Sequence, residues 1–374
     1  MELSSAHIRD RIKALRELRG WNQSEFAAVT GMSQAMISSL ETGSRTATLD
    51  HAHYIAASTG TPDAFFLLSP EEPTDEELHF RKKKTAKITA TRTLVRKYKE
   101  SRTVARELVR DYAPPVQLSP VDGLVEDGDL EDIAIDIRVA MGLGPSEPVR
   151  NIIRACERAG FPVNPIAPVP GAESDHSGLS YTSASDGFGS ISFLTGQSGD
   201  HQRMTVGHEL SHRVLHFHRR VPERQRESEA FRLAGAIFLP RHSAMQELAE
   251  SLSLTGYMRL KARWGISIQA LIMRAGDLGV IDRDRKTSLM QQISRRGWRK
   301  AEPVAVGHER PALLWHLLER RFGSDPHRAA TAELGHARED LIEWIPREES
   351  AFRGPIVTSS NVVDLTHRFG RPRH

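Results

Sequence analysis

Residues 208 to 212 place two histidines and a glutamate in a pattern suited to metal chemistry, His208-Glu209-Leu210-Ser211-His212. Two imidazoles four residues apart lie one above the other on the same face of a helix. Both can then bind one Zn²⁺ at about 2.0–2.1 Å, with a coordination position left open beside the glutamate. Glu209 can act there as the general base for a water molecule. The spacing therefore predicts zinc-dependent peptide hydrolysis.

The pattern is short, and three fixed positions recur by chance in unrelated proteins. Its surroundings favour the catalytic interpretation, because Leu210, Val214 and Phe217 follow at helical spacing. An apolar stripe beside a face of histidine and glutamate is typical of a buried amphipathic helix. We therefore expect His208, Glu209 and His212 to share one face of such a helix.

Catalytic zinc usually takes three protein ligands, so a third must be found. His216 lies about 12 Å from His208 along a helix axis, too far to share an ion with both histidines. We expect it to support a ligand or to pack. His218 occupies the eleventh position of the metzincin pattern, but Leu215 stands where that pattern needs glycine. His218 is therefore not expected to be a ligand.

A better third ligand lies on a second helix, predicted over residues 227–239 and ended by Pro240. Glu227 would share a face with small residues that allow close approach to the first helix. Glu229 would share a face with Arg232 and could pair with it. We favour Glu227 and keep Glu229 as the alternative; either could also interact favourably with the helix dipole.

These segments, from His208 through Glu227 to Pro240, resemble the ImmA/IrrE family of metallopeptidases over residues 125–305. The family pattern is H-E-L-x-H-x-x-x-H followed by E-x-x-A-x-x-F-A-x-x-L-L-M-P. The chain departs from this pattern conservatively. Leu233 stands in place of its phenylalanine, and Ile237-Phe238-Leu239-Pro240 stands in place of L-L-M-P. The resemblance implies a Zn²⁺ cofactor, Glu227 as the third ligand, and a regulatory protein substrate such as a repressor or antitoxin.

The first sixty residues carry a second signal. Two short helices, one beginning near Asn22 or Gln23 and one spanning residues 33–41, are joined by a turn that contains Gly31. This is the helix-turn-helix signature. Ile37 and Leu40 would face the core, and small polar side chains would face the DNA major groove. The alternative is an ordinary five-helix bundle. Further helices are predicted to start at Leu49 and at Ile55-Ala56.

Residues 8–69 resemble an XRE/Cro-type DNA-binding domain, from Leu18-Arg19-Gly20-Trp21-Asn22-Gln23 through Leu40-Glu41-Thr42-Gly43. The resemblance implies binding of double-stranded operator DNA by the following side chains: Gln23, Ser33, Gln34 and Ser38. Such domains commonly act as dimers on paired half-sites, so we expect a homodimer.

Residues 81–110 contain twelve lysines and arginines and only two acids. Arg81, Lys82, Lys83 and Lys84 open this stretch. Beside a DNA-binding domain, such a stretch can add phosphate contacts and non-specific affinity. The alternative is a solvated helix that only connects domains.

The composition of the 374 residues is that of an ordinary globular protein, with a net charge of +3. The sequence contains no apolar run long enough for a membrane span and no signal-peptide pattern at its start. The single cysteine, Cys156, cannot form an internal disulfide and is expected in the core. A cytoplasmic location is therefore predicted.

We predict a mainly α, α+β protein with four regions. They are a helix-turn-helix domain (1–69), a basic helical linker (70–118), a zincin-like metallopeptidase domain with a small sheet (119–305) and a C-terminal helical region with a flexible tail (306–374). Helices are predicted over 129–142, 147–160, 313–318 and 332–345, and strands begin near 161, 178 and 190. The strand just before the zinc helix is the predicted substrate edge.

Together these patterns predict a DNA-binding zinc-dependent endopeptidase. The family resemblance implies that it regulates stress-response or mobile-element genes by cleaving a repressor or antitoxin, and the helix-turn-helix in the same chain adds self-cleavage as an alternative. A group that stabilises the developing oxyanion is also needed. Tyr181, His242 and Tyr257 are candidates, and none of them can be placed from sequence. The alternative function is a non-catalytic repressor whose peptidase-like domain senses a ligand, a partner or a metal.

Overall fold

The computed structural model describes residues 4–69, 88–112, 114, 116–171, 178–182, 187–347 and 361–363. The described part is mainly helical with two small sheets, which confirms the predicted fold class. The first nine helices are α1 (Ser5–Leu18), α2 (Gln23–Thr30), α3 (Gln34–Thr42), α4 (Leu49–Thr59), α5 (Ile88–Val109), α6 (Asp129–Ala140), α7 (Ile152–Arg158), α8 (Gly199–His216) and α9 (Glu223–Phe238). The later helices are α10 (Arg241–Glu247), α11 (Leu254–Trp264), α12 (Ile268–Asp277), α13 (Arg283–Arg295), α14 (Leu313–Phe322), α15 (Pro326–Leu334) and α16 (Arg338–Trp344).

Five short strands and one 3-10 helix complete the described structure. They are β1 (Val116–Leu118), β2 (Val163–Ile166), β3 (Gly178–Thr182), β4 (Gly189–Leu194), β5 (Asn361–Val363) and the 3-10 helix Asp63–Leu67. β1 and β5 pair in parallel, with Val116 opposite Asn361. The other sheet has the order β2-β4-β3, so β4 is its central strand.

The chain folds as two compact units, neither of which is continuous in sequence. The first unit contains residues 1–112, 164–179 and 311–350, and the second contains 113–163, 180–310 and 351–374. The C-terminal helices therefore belong to the same unit as the N-terminal helices. The four domain boundaries predicted from the sequence stay predictions. Apart from β5, the predicted C-terminal tail lies outside the described residues.

The helix-turn-helix segment of the first unit is built by strong local capping signals. Asn22 caps α2 and forms a capping box with Glu25, which together satisfy backbone donors that the helix leaves free. Gly31 ends α2 with φ 71°, a left-handed conformation that glycine adopts without a steric penalty. Ser33 then caps α3. The tight turn between the two helices thus follows directly from the residue types.

α4 corrects one expectation from the sequence. Leu49 and Ile55 were predicted to start separate helices, but both lie in the single helix α4. Thr48 caps this helix, and no glycine or proline interrupts it before Gly60, which has φ 67°. One continuous helix is the outcome because no residue between Leu49 and Ile55 favours a break.

The C-terminal part of the first unit also departs from prediction. Residues 332–345 are predicted to form one helix, but α15 ends at Leu334 and α16 begins only at Arg338. Gly335 ends α15 with φ 68°. Its next-but-one neighbour, Ala337, is extended and precedes α16. A left-handed glycine cannot continue a right-handed helix, so the chain turns at this position.

A buried ionic network ties three segments of the first unit together. Glu100 of α5 accepts hydrogen bonds from both terminal nitrogens of Arg11, at 2.8 and 3.1 Å. Nε2 of His336 lies 3.0 Å from the same carboxylate. The side chains of Glu100 and His336 are 0% exposed, and that of Arg11 is 3% exposed. α5 is therefore a core helix of this unit.

The second unit has its own apolar core, into which α6 to α13 direct buried side chains. The helices predicted at 129–142 and 147–160 correspond to α6 and the shorter α7. Cys156 of α7 is fully buried, and burial raises the pKa of its thiol, so its predicted core position is confirmed. Among the described residues, no helix combines the length and the apolar character needed to cross a membrane.

Candidate metal centre and nucleic-acid interface

The two helices that carry the predicted metal ligands lie side by side in the second unit. α8 buries Leu210 and Val214 of the apolar stripe expected from the sequence, together with Val206, whereas Phe217 follows the last residue of α8 and is half-buried. Gly207 permits a close approach to α9, because a Cβ at this position would lie 2.7 Å from the ring of Phe238. The small residue directly before His208 thus brings the histidine face of α8 near α9.

The three predicted ligand side chains converge between these helices. Nε2 of His208 and Nε2 of His212 lie 3.0 Å apart. The carboxylate of Glu227 lies 3.6 Å from the first of these nitrogens and 3.3 Å from the second. One ligand atom from each side chain lies within 4.8 Å of the others. The structure therefore brings together all three residues from their two predicted helices.

The chemistry of this donor set fits a divalent transition metal. Two imidazole nitrogens and one carboxylate oxygen form the His₂Glu set of catalytic zinc sites. Burial acts to raise the pKa of Glu227, but the neighbouring imidazoles of His208 and His212 outweigh burial and hold the pKa well below its usual value. The carboxylate is therefore ionised and able to act as a ligand.

Glu209, the predicted general base, is positioned from the neighbouring sheet. The hydroxyl of Ser180 on β3 donates a hydrogen bond to Oε2 of Glu209 at 2.5 Å. Sequence reasoning missed Ser180, because nothing in the spacing relates β3 to α8. The base on α8 is thus oriented by a strand that precedes it in the chain.

The predicted substrate edge needs a correction. The strand just before the zinc helix is β4, and β4 is the central strand of its sheet, with neighbours on both sides. Its backbone groups are therefore already paired with those of β2 and β3. The strand that forms an edge of the described sheet on the side of Ser180 is β3.

Glu229, the alternative third ligand, is engaged elsewhere. Its carboxylate accepts hydrogen bonds from Arg219 at 2.9 Å and from Gln225 at 2.7 Å. Its Oε2 also lies 3.1 Å from Nε2 of His216. The predicted pairing of Glu229 with Arg232 is wrong, because Arg232 instead pairs with Asp127, which precedes α6. Helical spacing alone could not reveal the loop residue Arg219 as the partner.

His216 and His218 have the different environments that the sequence suggested. Nδ1 of His216 lies 3.1 Å from Nδ1 of His212, so His216 contacts a candidate ligand. Burial, the largest influence, lowers the pKa of His216 to about 4. His218 is exposed, and its ring lies 4.5 Å from that of Phe217, measured between centroids. Of these two histidines, His216 therefore supports the cluster.

The structure places the three candidate oxyanion helpers differently. Tyr181 lies on β3, but its side chain is outside the described part. His242 is exposed on α10 and bonds with Gln246 at 3.0 Å. Tyr257 is buried, and burial raises the pKa of its hydroxyl, which has no hydrogen-bond partner among the described residues. None of these observations links a candidate to the cluster.

Arg226 is a charged neighbour that sequence reasoning missed. Burial lowers the pKa of its guanidinium, whereas the carboxylates of Glu223, Glu227 and Glu209 act to raise it. Its Nε atom is buried without a hydrogen-bond partner in the described part of the chain. In the sequence, the position of Arg226 directly before Glu227 could have indicated that it lies near the candidate ligand. Arg226 thus adds positive charge near both the candidate base and the candidate ligand.

The predicted DNA-contacting residues lie on α2 and α3. Ile37 and Leu40 are fully buried, as predicted, and Gln34 is exposed at the start of α3. The hydroxyl of Ser33 accepts a hydrogen bond from the α3 backbone, and Ser38 is half-buried. The amide of Gln23 donates to Glu41 at 2.9 Å. Ser33 and Gln34 are therefore the exposed members of the four, and the hydroxyl of Ser33 is engaged in capping α3.

The predicted phosphate contacts fall partly outside the described structure. Arg81, Lys82, Lys83 and Lys84 lie outside the described residues. Residues 88–109 of the basic stretch form α5, where Lys97 pairs with Glu343 at 2.8 Å and Arg102 is 1% exposed. Lys97 and Arg102 thus pack within the first unit, which differs from the expectation of a solvated connecting helix, and the expected phosphate contacts of residues 81–84 stay a prediction.

Two protein-family models match the regions that contain these candidate residues. Residues 12–66 match the family model of the helix-turn-helix. Residues 168–275 match the peptidase M78 model, described as the IrrE N-terminal-like domain. The chain joins a helix-turn-helix to an IrrE-like peptidase domain. The resemblance found in the sequence is thereby confirmed, and the second match contains all the candidate metal ligands. A comparison with curated proteins gives no match.

Proposed function

We propose that this protein is a DNA-binding, zinc-dependent endopeptidase that regulates transcription in a stress or mobile-element response. The observation that carries the proposal is the convergence of His208, His212 and Glu227 beside Glu209. A carboxylate held between two imidazoles, with a general base on the same helix turn, is the arrangement that metal-assisted peptide hydrolysis requires.

Each residue has a distinct role in the proposed reaction. His208, His212 and Glu227 would hold Zn²⁺, which when bound polarises a scissile carbonyl and makes a water molecule more acidic. Glu209 would accept the proton of the attacking water and deliver it to the leaving nitrogen. The hydrogen bond from Ser180 to Oε2 would fix the carboxylate and leave its other oxygen for that proton.

Two further features support peptide binding near this centre. The positive charge of Arg226 would stabilise the negative charge that develops on the carbonyl oxygen. An extended substrate would pair with the edge strand β3, because backbone groups at a sheet edge can bind an added strand. Ser180 on β3 would then adjoin the peptide bond that is cleaved.

The helix-turn-helix would direct this activity to an operator, with α3 in the major groove and Gln34 contacting a base edge. The substrate would be a repressor or antitoxin bound at the same operator, or the chain itself. Paired half-sites would suit a homodimer, which stays a prediction.

The metal content of the purified full-length protein tests the centre. We expect about one zinc per chain in the wild type and in Glu209→Gln, and little in Glu227→Ala. Glu223→Ala is the matched control, because Glu223 is an exposed glutamate one turn earlier on α9. Equal zinc in Glu227→Ala and Glu223→Ala, or no zinc in the wild type after it is supplied, would contradict the proposed ligand set.

Hydrolysis needs a separate test in cells. New protein N-termini should appear with the wild type and be absent with Glu209→Gln, which lacks the base but keeps the ligands. If Glu209→Gln retained zinc, DNA binding and the full transcriptional response, the protein would regulate without hydrolysis.

A further inference from the structure

A line of hydrogen-bonding groups runs from the candidate centre along α8 to Glu229 on α9. Nδ1 of His212 lies 3.1 Å from Nδ1 of His216, one helical turn further along α8. Nε2 of His216 lies 3.1 Å from Oε2 of Glu229 on α9. The side chains of His216 and Glu229 are 3% and 8% exposed. Solvent is therefore largely excluded from the line.

The position of each proton along this line follows from its two ends. His212 can bind a metal through Nε2 only if that nitrogen carries a free electron pair, so its proton must lie on Nδ1. That Nδ1–H donates to Nδ1 of His216, which must then be an acceptor. The proton of His216 therefore lies on Nε2, and this Nε2–H donates a hydrogen bond to the carboxylate of Glu229. All three groups can satisfy these roles at once.

Glu229 is itself fixed in place. Its carboxylate accepts hydrogen bonds from Arg219 at 2.9 and 3.3 Å and from Gln225 at 2.7 Å. Arg219 also donates to the backbone carbonyl of Leu215 in α8, at 3.3 Å. A carboxylate anchored in this way cannot turn away from His216 without breaking charge-assisted bonds. The acceptor end of the line is thus preset by the fold.

We infer that His216 and Glu229 are positioning residues that hold His212 in the tautomer whose Nε2 faces the metal centre. The inference rests on the proposed function, because it presupposes that His212 is a ligand. Glu229, the alternative third ligand in the sequence analysis, acts here as the hydrogen-bond acceptor for His216. Groups that fix a ligand's tautomer also raise its basicity, and their loss typically weakens metal affinity about 10- to 100-fold.

The other candidate histidine provides an internal contrast. Nδ1 of His208 is buried and has no hydrogen-bond partner within the described ranges. Its ring instead packs on that of Phe231, with 4.1 Å between centroids. The fold therefore presets the tautomer of His212 by hydrogen bonding, whereas it holds the ring of His208 by packing.

Zinc affinity, measured by competition with a chromophoric chelator, tests the inference on the full-length protein. We expect His216→Phe and Glu229→Gln to weaken zinc binding about 10- to 100-fold. His218→Phe is the matched control, because His218 is an exposed histidine two residues further on. It should bind zinc like the wild type.

The tautomers give a second measurement that does not need metal. In the metal-free protein with ¹⁵N-labelled histidine rings, NMR should show His216 protonated on Nε2 and His212 on Nδ1. Glu229→Gln keeps the size of the side chain and should reduce the preference at His216, whereas His218→Phe should change neither tautomer. This measurement remains informative even if His216→Phe folds poorly.

The possible outcomes separate the two proposals. If Glu227→Ala loses zinc but His216→Phe and Glu229→Gln keep wild-type affinity, the positioning role is wrong and the metal centre stands. The opposite tautomers in the metal-free protein would also overturn it. If the wild type binds no zinc, the proposed function fails instead.

Discussion

Replacing Glu100 with glutamine removes the negative charge at the centre of the buried network that joins α1, α5 and the segment before α16. The carboxylate accepts two hydrogen bonds from Arg11 and one from His336. Both ring nitrogens of His336 face acceptors, because Nδ1 lies 2.6 Å from a backbone carbonyl. The substitution therefore leaves a guanidinium and an imidazole without their shared charged partner.

The size of the effect follows from burial. Removing one partner of a buried ion pair costs about 3–5 kcal/mol, because the remaining charge is neither hydrated nor paired. Glutamine keeps one acceptor oxygen, so we expect a loss near the lower limit, about 3 kcal/mol. For a unit of this size, the unfolding temperature should then fall by about 6 °C or more.

Thermal unfolding and segment-resolved hydrogen exchange of the full-length protein measure this loss. Glu100→Gln should increase exchange in α1, α5 and α16, with smaller changes in α8 and α9 of the other unit. Glu107→Gln is the matched control on the same helix, because the Glu107 side chain is 26% exposed in its pair with Arg321. It should cost less than about 1 kcal/mol.

Equal effects of the two substitutions would refute the reasoning. That result would mean that the Glu100 network adds no more stability than a surface pair, and that apolar packing alone holds the C-terminal helices on α5. A uniform increase of exchange in both units would also contradict it, because Arg11, Glu100 and His336 all belong to the first unit.

Three further results are expected. Gly207→Ala should destabilise the second unit by about 1–3 kcal/mol in urea unfolding, because its Cβ would meet Phe238, whereas Gly235→Ala on α9 has room and should not. Burial acts to raise the pKa of Glu100, but Arg11 and His336 hold it below its ordinary value of 4.5, so its stabilisation exists above that pH and is lost as pH falls. The difference in the free energy of unfolding between the wild type and Glu100→Gln should therefore decrease as the pH is lowered. Gln34→Ala should reduce sequence-specific DNA binding, measured by selection from random duplexes, more than non-specific binding.

The parts of the fold that local signals control could be predicted from the sequence. The capped turn between α2 and α3 and the apolar stripe of α8 are examples, because each depends on neighbours a few residues apart. The single helix α4 and the break at Gly335 required weighing competing local signals. The burial of α5 could not be predicted, since its charged side chains find partners such as Glu343 that are distant in sequence.

The candidate site shows the same division. The spacing of His208 and His212 and the position of Glu227 could be inferred from helical periodicity and from the family pattern. The contacts of Ser180 and Arg219 could not, because a strand and a loop bring them to the site through tertiary packing. Sequence reasoning thus identified the candidate residues, and the structure adds the side chains that contact and orient them.

The composition of the first unit limits how self-cleavage could act. A cut between residues 70 and 87 would separate the helix-turn-helix from α5 in sequence only. The buried bonds of Arg11 to Glu100 would remain, as would the pair of Arg19 with Asp340 at 2.6 and 2.8 Å. Because these contacts lie within one compact unit, a single cut would leave the fragments associated. Under the proposed function, these contacts therefore favour a separate protein substrate, such as a repressor or antitoxin, over the chain itself.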